Sequence, residues 1–169
     1  MSATERGLYN AVVKVKQIGE FGLIDRLQSE FPATAPGLVL GIGDDAAVWR
    51  GEGLAVATTD TMVEDVHFRT RTTTWRELGW KSLASNLSDV AAMGGQPRYA
   101  LVTFGLRDDA EVEDVLELAR GLAEAGKTFG SAVIGGDLVA SPHAMFITVA
   151  LYGVVLEDGF GPPLMRAAA

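Results

Sequence analysis

Cysteine is absent from all 169 residues. Disulfides, thiolate-bound metals and a cysteine nucleophile are therefore excluded. Proline is scarce, at 6, whereas glycine reaches 20, so tight turns and close backbone approaches are expected. Positive charge is in deficit: 14 Lys and Arg stand against 22 Asp and Glu, for a formal net charge of −8. Such a surface repels nucleic-acid backbone, no Lys/Arg-rich run offsets it, and no nucleic-acid partner is expected. It also repels a nucleotide or a phosphate ester, unless bound metal ions invert the local field. No apolar run approaches the roughly 20 residues that span a bilayer, and the N-terminus lacks a signal-peptide pattern. The expectation is a cytoplasmic protein without a membrane partner. No G-x-x-x-x-G-K-[ST] phosphate loop follows a strand, since the one such string, Gly121–Thr128, falls inside a stretch with helical periodicity; a G-x-G-x-x-G turn after a strand and a G-x-S-x-G elbow are missing.

What is present suits one globular domain, since 48% of the residues are apolar. Residues 1–18 have no assigned element and read as an N-terminal extension. Phe21, Ile24, Leu27 and Phe31 recur at steps of three and four, predicting a helix over 20–31 closed by Pro32. Residues 38–40, 46–49 and 54–58 read as strands, the last apolar enough to be buried on both faces. Residues 60–74 read as a long irregular loop, a type that is often functional. Thr74 and Glu77 form a capping box for a helix ending near Met93, before Gly94-Gly95. One side of it is apolar (Leu83, Leu87, Val90, Ala91), and its other face carries Ser82, Asn86 and Asp89. A strand over 98–106 follows. Asp108 and Glu111 read as a second capping box, for a helix through Phe129 with Val112, Val115, Leu116, Ala119, Leu122 and Ala123 as its buried stripe. A short strand over 132–134 ends at Gly135-Gly136-Asp137, and a long apolar strand covers 144–156. Clustered strands between helices imply an α+β domain, a two-layer mixed sheet with helices packed on one face.

The acidic residues recur in one setting. Asp44 and Asp45 sit side by side after Gly41-Ile42-Gly43, Asp60 follows Thr58-Thr59, Asp89 follows Ser88, and Asp137 follows Gly135-Gly136. Each alone reads as a turn, a cap or a solvated end. Together they read as a cation-and-phosphate site gathered from distant parts of the chain. Adjacent ionised carboxylates repel one another, and a cation relieves them. Oxygen donors without His or Cys favour Mg²⁺, which takes one or two carboxylates per ion and completes its shell with water and phosphate. Five such residues imply several ions, with the Thr58 and Thr59 oxygens available to them. His67 reads either as an exposed loop residue or as a substrate contact, and Gly136 either as a tight turn or as a close approach to phosphate.

The segments Gly41-Ile-Gly-Asp-Asp-Ala-Ala-Val48, Thr59-Asp-Thr-Met-Val-Glu-Asp-Val-His-Phe68, Lys81 to Pro97 (Lys-Ser-Leu-Ala-Ser-Asn-Leu-Ser-Asp-Val-Ala-Ala-Met-Gly-Gly-Gln-Pro) and Ile134-Gly-Gly-Asp137 occur in this order. They resemble the thiamine-monophosphate kinase family, within the aminoimidazole-ribonucleotide synthetase superfamily of ATP-using enzymes. The likeness covers roughly residues 19–166. It implies ATP-dependent phosphorylation of thiamine monophosphate to thiamine diphosphate, by direct in-line transfer with no phosphoenzyme. By position it implies that Asp45, Thr58, Thr59, Asp60, Asp89 and Asp137 hold Mg²⁺ with Asp44 close by. It also implies that His67 contacts substrate, and that Gly136, Asp137 and Arg166 contact ATP. A homodimer formed through the sheets is implied as well. Leu138 departs from the family, where Thr is frequent. Members of the family continue into a second α+β domain. Residues 19–157 are thus expected to form the ATP- and metal-binding N-terminal domain, and 158–169 the start of a connection to a C-terminal domain, with weak turnover by this chain alone. The alternatives are another ATP-using member of the superfamily, or a non-catalytic nucleotide-binding dimerisation module. The clustered acids speak against the latter, because like charges gain nothing in a purely structural domain.

Overall fold

The computed structural model describes residues 12–155. Among these residues the elements run α1 (Val15–Gln28), β1 (Leu38–Leu40), β2 (Val48–Trp49), β3 (Leu54–Val63), α2 (Trp75–Ala92), β4 (Gln96–Leu106), α3 (Val112–Phe129), β5 (Ala132–Ala140) and β6 (Phe146–Val155). The four long strands form one mixed sheet in the order β3-β6-β4-β5. β6 pairs antiparallel with both β3 and β4, and β4 pairs parallel with β5. The fold is α+β, as the pattern of elements implies.

Helices α2 and α3 lie against one face of the sheet. Along β6 burial alternates, with Ile147, Val149 and Leu151 turned into the core they share with Leu83, Leu87, Val90, Val115, Leu118 and Leu122. The Thr74–Glu77 capping box is present: the Glu77 N–H donates to Thr74 Oγ1 at 3.2 Å and the Thr74 N–H donates to Glu77 Oε2 at 3.0 Å. The Thr74 backbone bond, then its hydroxyl, holds the Glu77 carboxyl below its ordinary pKa. Helix α3 buries the expected stripe except Ala123, which is only partly buried, and ends at Gly130 in the left-handed conformation (φ 76°). The other face of the sheet is roofed at its β4–β5 end by residues 35–49. There Trp49 packs against Tyr99 and Tyr152, with ring centroids 5.3 and 5.5 Å apart, and the Tyr99 hydroxyl donates to the Pro36 carbonyl.

Several expectations are corrected. Helix α1 begins at Val15 and bends at Gly19 (φ 67°), and Phe21 is 79% exposed, because Leu23 and Leu27 supply its buried side. Val13, Val15 and Ile18 pack against the core. Strand β3 continues to Val63, so Thr59 and Asp60 stand within a strand and the irregular stretch begins later. It lies at the sheet edge and is largely exposed, Leu54 at 60%, because only β6 flanks it and the open face is uncovered there. Strand β5 runs through Asp137 to Ala140, since β4 continues to pair with it beyond the apolar stretch. Gly153 does not break β6; it pairs with Val56 and with Pro97. Asp108 caps nothing: the residue preceding α3 is Glu111, whose carboxylate accepts from Lys14 Nζ at 2.8 Å. Ser82 and Asn86 are buried, at 2% and 0% exposure, because α2 is wedged between α3 and the sheet and its polar side faces β3.

Candidate functional site

Register and alternation decide which candidates meet. On β3, Met62 faces α2, where the Ser82 hydroxyl lies 3.5 Å from its sulfur. Asp60 and Thr58, two and four residues earlier, share that face. The Thr58 hydroxyl donates to Asp89 Oδ2 on α2 at 3.0 Å. Thr58, Asp60 and Asp89 therefore belong to one locality at the exposed β3 edge. Helix α2 brings Asp89 there because Asp89 lies two turns beyond Ser82 on the side that faces β3.

Thr59 turns the opposite way. So does Thr61, whose Oγ1 lies 2.9 Å from Thr148 Oγ1 on β6. Thr148 pairs with Thr103 and Thr103 with Asp137, making a polar row across the open face. Asp137 stands three strands from β3, about 14 Å at the usual strand spacing. A single ion with oxygen ligands near 2 Å cannot touch both Asp60 and Asp137. Among the described residues, no three of His, Asp and Glu come together as one metal cluster.

The Asp44–Asp45 loop lies over the open face beside β5. A Cβ on Gly135 would stand 3.8 Å from Ala47, and one on Gly41 would stand 3.8 Å from the Ile134 carbonyl oxygen. Gly43 takes φ 118°, and the Asp45 N–H donates to Asp44 Oδ1 at 2.9 Å. Part of the Asp44 carboxylate thus serves its own turn. Gln28, at the end of α1, pins the loop by donating Nε2 to the Ile42 carbonyl at 3.0 Å. No sequence signal marks Gln28, because the contact exists only once α1 and the loop are adjacent. Gly136 is required by packing: a Cβ there would stand 1.8 Å from the Val102 carbonyl oxygen. Arg166 lies outside the described residues.

His67 sits in a short turn after β3, exposed, with Nδ1 accepting from the Val63 N–H at 3.1 Å. One polar atom in the region lacks a partner. Asn86 Nδ2 donates to the Ser82 carbonyl at 3.1 Å, whereas its Oδ1 is buried and unsatisfied. The donor set of Thr58, Asp60 and Asp89 fits Mg²⁺: two carboxylates and a hydroxyl, all hard oxygens, at an exposed edge open to water and phosphate.

Comparison with known proteins follows the same lines. Residues 43–155 match the family described as AIR synthase related protein, N-terminal domain. A thiamine-monophosphate kinase of Mycobacterium tuberculosis is 35% identical over 171 residues, which cover 99% of this chain and 50% of that protein. The structure of a thiamine-monophosphate kinase from Stenotrophomonas maltophilia superposes with a TM-score of 0.67 at 34% identity, covering 82% of this chain and 43% of that one. AaThiL complexed with AMPPCP and TMP superposes with a TM-score of 0.56 at 29% identity, covering 85% and 44%. The chain spans half or less of the length of these relatives. A match over more than half of the chain, on this sheet and these acidic positions, assigns it: the chain belongs to the AIR synthase related proteins and carries their N-terminal domain.

Proposed function

We propose that this chain is the ATP- and metal-binding part of a thiamine-monophosphate kinase. In the reaction a phosphate oxygen of thiamine monophosphate forms a bond to the γ-phosphorus of ATP. The bond from that phosphorus to the β–γ bridging oxygen breaks in line, and ADP leaves with the electron pair. The products are thiamine diphosphate and ADP, with no phosphoenzyme. The reading is supported by likeness to kinases of this name and to a complex with AMPPCP and TMP. The observation that carries it is the Thr58–Asp89 hydrogen bond, which ties the Thr-Thr-Asp strand to the Ser-Asp helix at the face bearing Asp60.

Phosphoryl transfer needs positioning and charge neutralisation more than covalent help. Bound Mg²⁺ would neutralise the phosphate oxygens and let an acidic surface accept two anions. Thr58, Asp60 and Asp89 would hold ions at the β3 edge. Asp137, with Asp45 and the neighbouring Asp44, would serve separate ions on the open face, where Thr59 also points. Gly136 and Arg166 would touch ATP, and His67 the substrate. The threonine-lined open face, with Ala150 and Phe146 beside Thr148, is offered as the surface of a homodimer. A cytoplasmic location belongs to the same proposal. Among the described residues no helix is long and apolar enough to cross a membrane.

Calorimetric titration of ATP into the chain, with and without Mg²⁺ and repeated on Asp60→Asn, tests the reading. Binding should depend on the metal and weaken on substitution. Affinity indifferent to both removes the metal-clamp proposal.

A further inference from the structure

Building on the reading of His67 as a substrate contact, we propose that Glu64 and Arg107 are positioning residues that hold His67 in a single tautomer, with Nε2–H as its outward donor. The turn after β3 is tightly specified. The Asp65 N–H donates to the Phe68 carbonyl at 2.8 Å, and the His67 N–H donates to the Val63 carbonyl at 2.8 Å. Asp65 takes the left-handed conformation (φ 63°), which aspartate tolerates better than most residues. Phe68 closes the turn as a buried anchor in the main core.

Glu64 fastens the start of this turn from two directions. Its backbone N–H donates to the Met145 carbonyl at 2.9 Å, and its Oε2 accepts from the Met145 N–H at 3.2 Å. The same oxygen accepts from Arg107 Nη1, at the end of β4, and the Glu64 side chain is only 11% exposed. A carboxylate this enclosed keeps its place only while its donors remain. Arg107 is held in turn by Asp109, which accepts from its Nε at 3.3 Å.

The ring state follows from the Val63 bond. A backbone N–H can only donate, so Nδ1 must present a lone pair to it, and the neutral ring then carries its proton on Nε2. With its one lone pair engaged by Val63, the ring cannot serve as a proton acceptor at Nε2. It is a fixed donor, suited to an anionic oxygen such as that of a phosphate monoester.

Long-range proton–nitrogen correlation spectra of the imidazole rings test this directly. His67 should show a protonated Nε2 and an unprotonated Nδ1, whereas the exposed His143 supplies the averaged pattern. Glu64→Gln and Arg107→Met should move His67 toward that average while leaving the amide signals of α3 in place. Each should weaken thiamine monophosphate about ten-fold, as expected for loss of one hydrogen bond to a charged acceptor. A protonated Nδ1, an averaged ring in the unaltered chain, or substitutions that leave both the ring and the affinity unchanged would overturn the proposal. If the tautomer is as stated but thiamine monophosphate leaves the Nε2–H signal unmoved, the positioning stands and the substrate role of His67 falls.

Discussion

Gly79 of α2 and Gly121 of α3 let the two helices touch backbone to backbone. A Cβ on Gly79 would stand 2.0 Å from the Leu118 carbonyl oxygen, and a Cβ on Gly121 would stand 2.0 Å from that of Arg76. Neither helix can take a side chain there without separating from the other. Gly79→Ala and Gly121→Ala should each destabilise the fold by about 1–3 kcal/mol or more, through overpacking. Because both relieve the same contact, the double variant should lose less than the sum of the two. Urea unfolding of the three variants checks this.

Thr58→Val removes the hydroxyl that meets Asp89 and keeps the shape of the side chain. The bond is exposed, so unfolding free energy should fall by only about 0.5–1.5 kcal/mol. Magnesium-dependent ATP binding should weaken by roughly ten-fold, about 1.4 kcal/mol. Metal-free binding should not change. Equal losses with and without Mg²⁺ would mean that the threonine acts on the fold alone.

Trp49→Ala tests the anchoring of the Asp44–Asp45 loop. Trp49 joins β2 to Tyr99 and Tyr152 on the sheet. Truncating an aromatic residue in such a cluster should destabilise the protein by about 3 kcal/mol. Amide exchange should quicken across residues 38–49 more than in α3. Uniform quickening would show that the segment is not a separate flap on the sheet.

Asp114 supplies a pH signature. Burial, then repulsion from Glu111, raises its carboxyl pKa above the ordinary value, partly offset by Lys14. The native state thus holds this proton more tightly than the unfolded chain does. The stabilising contribution is present at acid pH and is lost as pH rises from about 4 through the raised folded value. Asp114→Asn should therefore be more stable than the parent at pH 7, with the difference shrinking below pH 4. Thermal melts across that range measure it.

Much of this architecture is legible in the chain itself, and the gaps have physical causes. Helices α2 and α3 are readable because Thr74 with Glu77, and the Val112-to-Leu122 stripe, are local signals. Strands β3 and β5 outrun their apolar stretches because pairing with β6 and β4 is a property of the partner, not of Asp60 or Asp137. Phe21 carries the right helical spacing and still faces water, since Gly19 redirects the helix before it. The acidic positions stand out as residue types in a pattern. Their division between two faces of the sheet does not, because it depends on whether each falls on an odd or an even place in its strand. Glu64 and Arg107 are 43 residues apart and carry no motif that links them.

The position of β6 also shapes how the domain comes into being. It lies between β3 and β4, and among the described strands it is the last in the chain. A ribosome releases α1, β3, α2 and the β4–α3–β5 unit before the strand that joins them exists. Until Val155 has emerged, the apolar underside of β4 and the long edge of β3 have no common neighbour. The nascent domain can assemble its helices and the parallel β4–β5 pair early, but the sheet closes in one late step whose contacts span about ninety residues. Substitutions that weaken β6 should therefore reduce the yield of folded protein during synthesis more than they lower the stability of protein already folded.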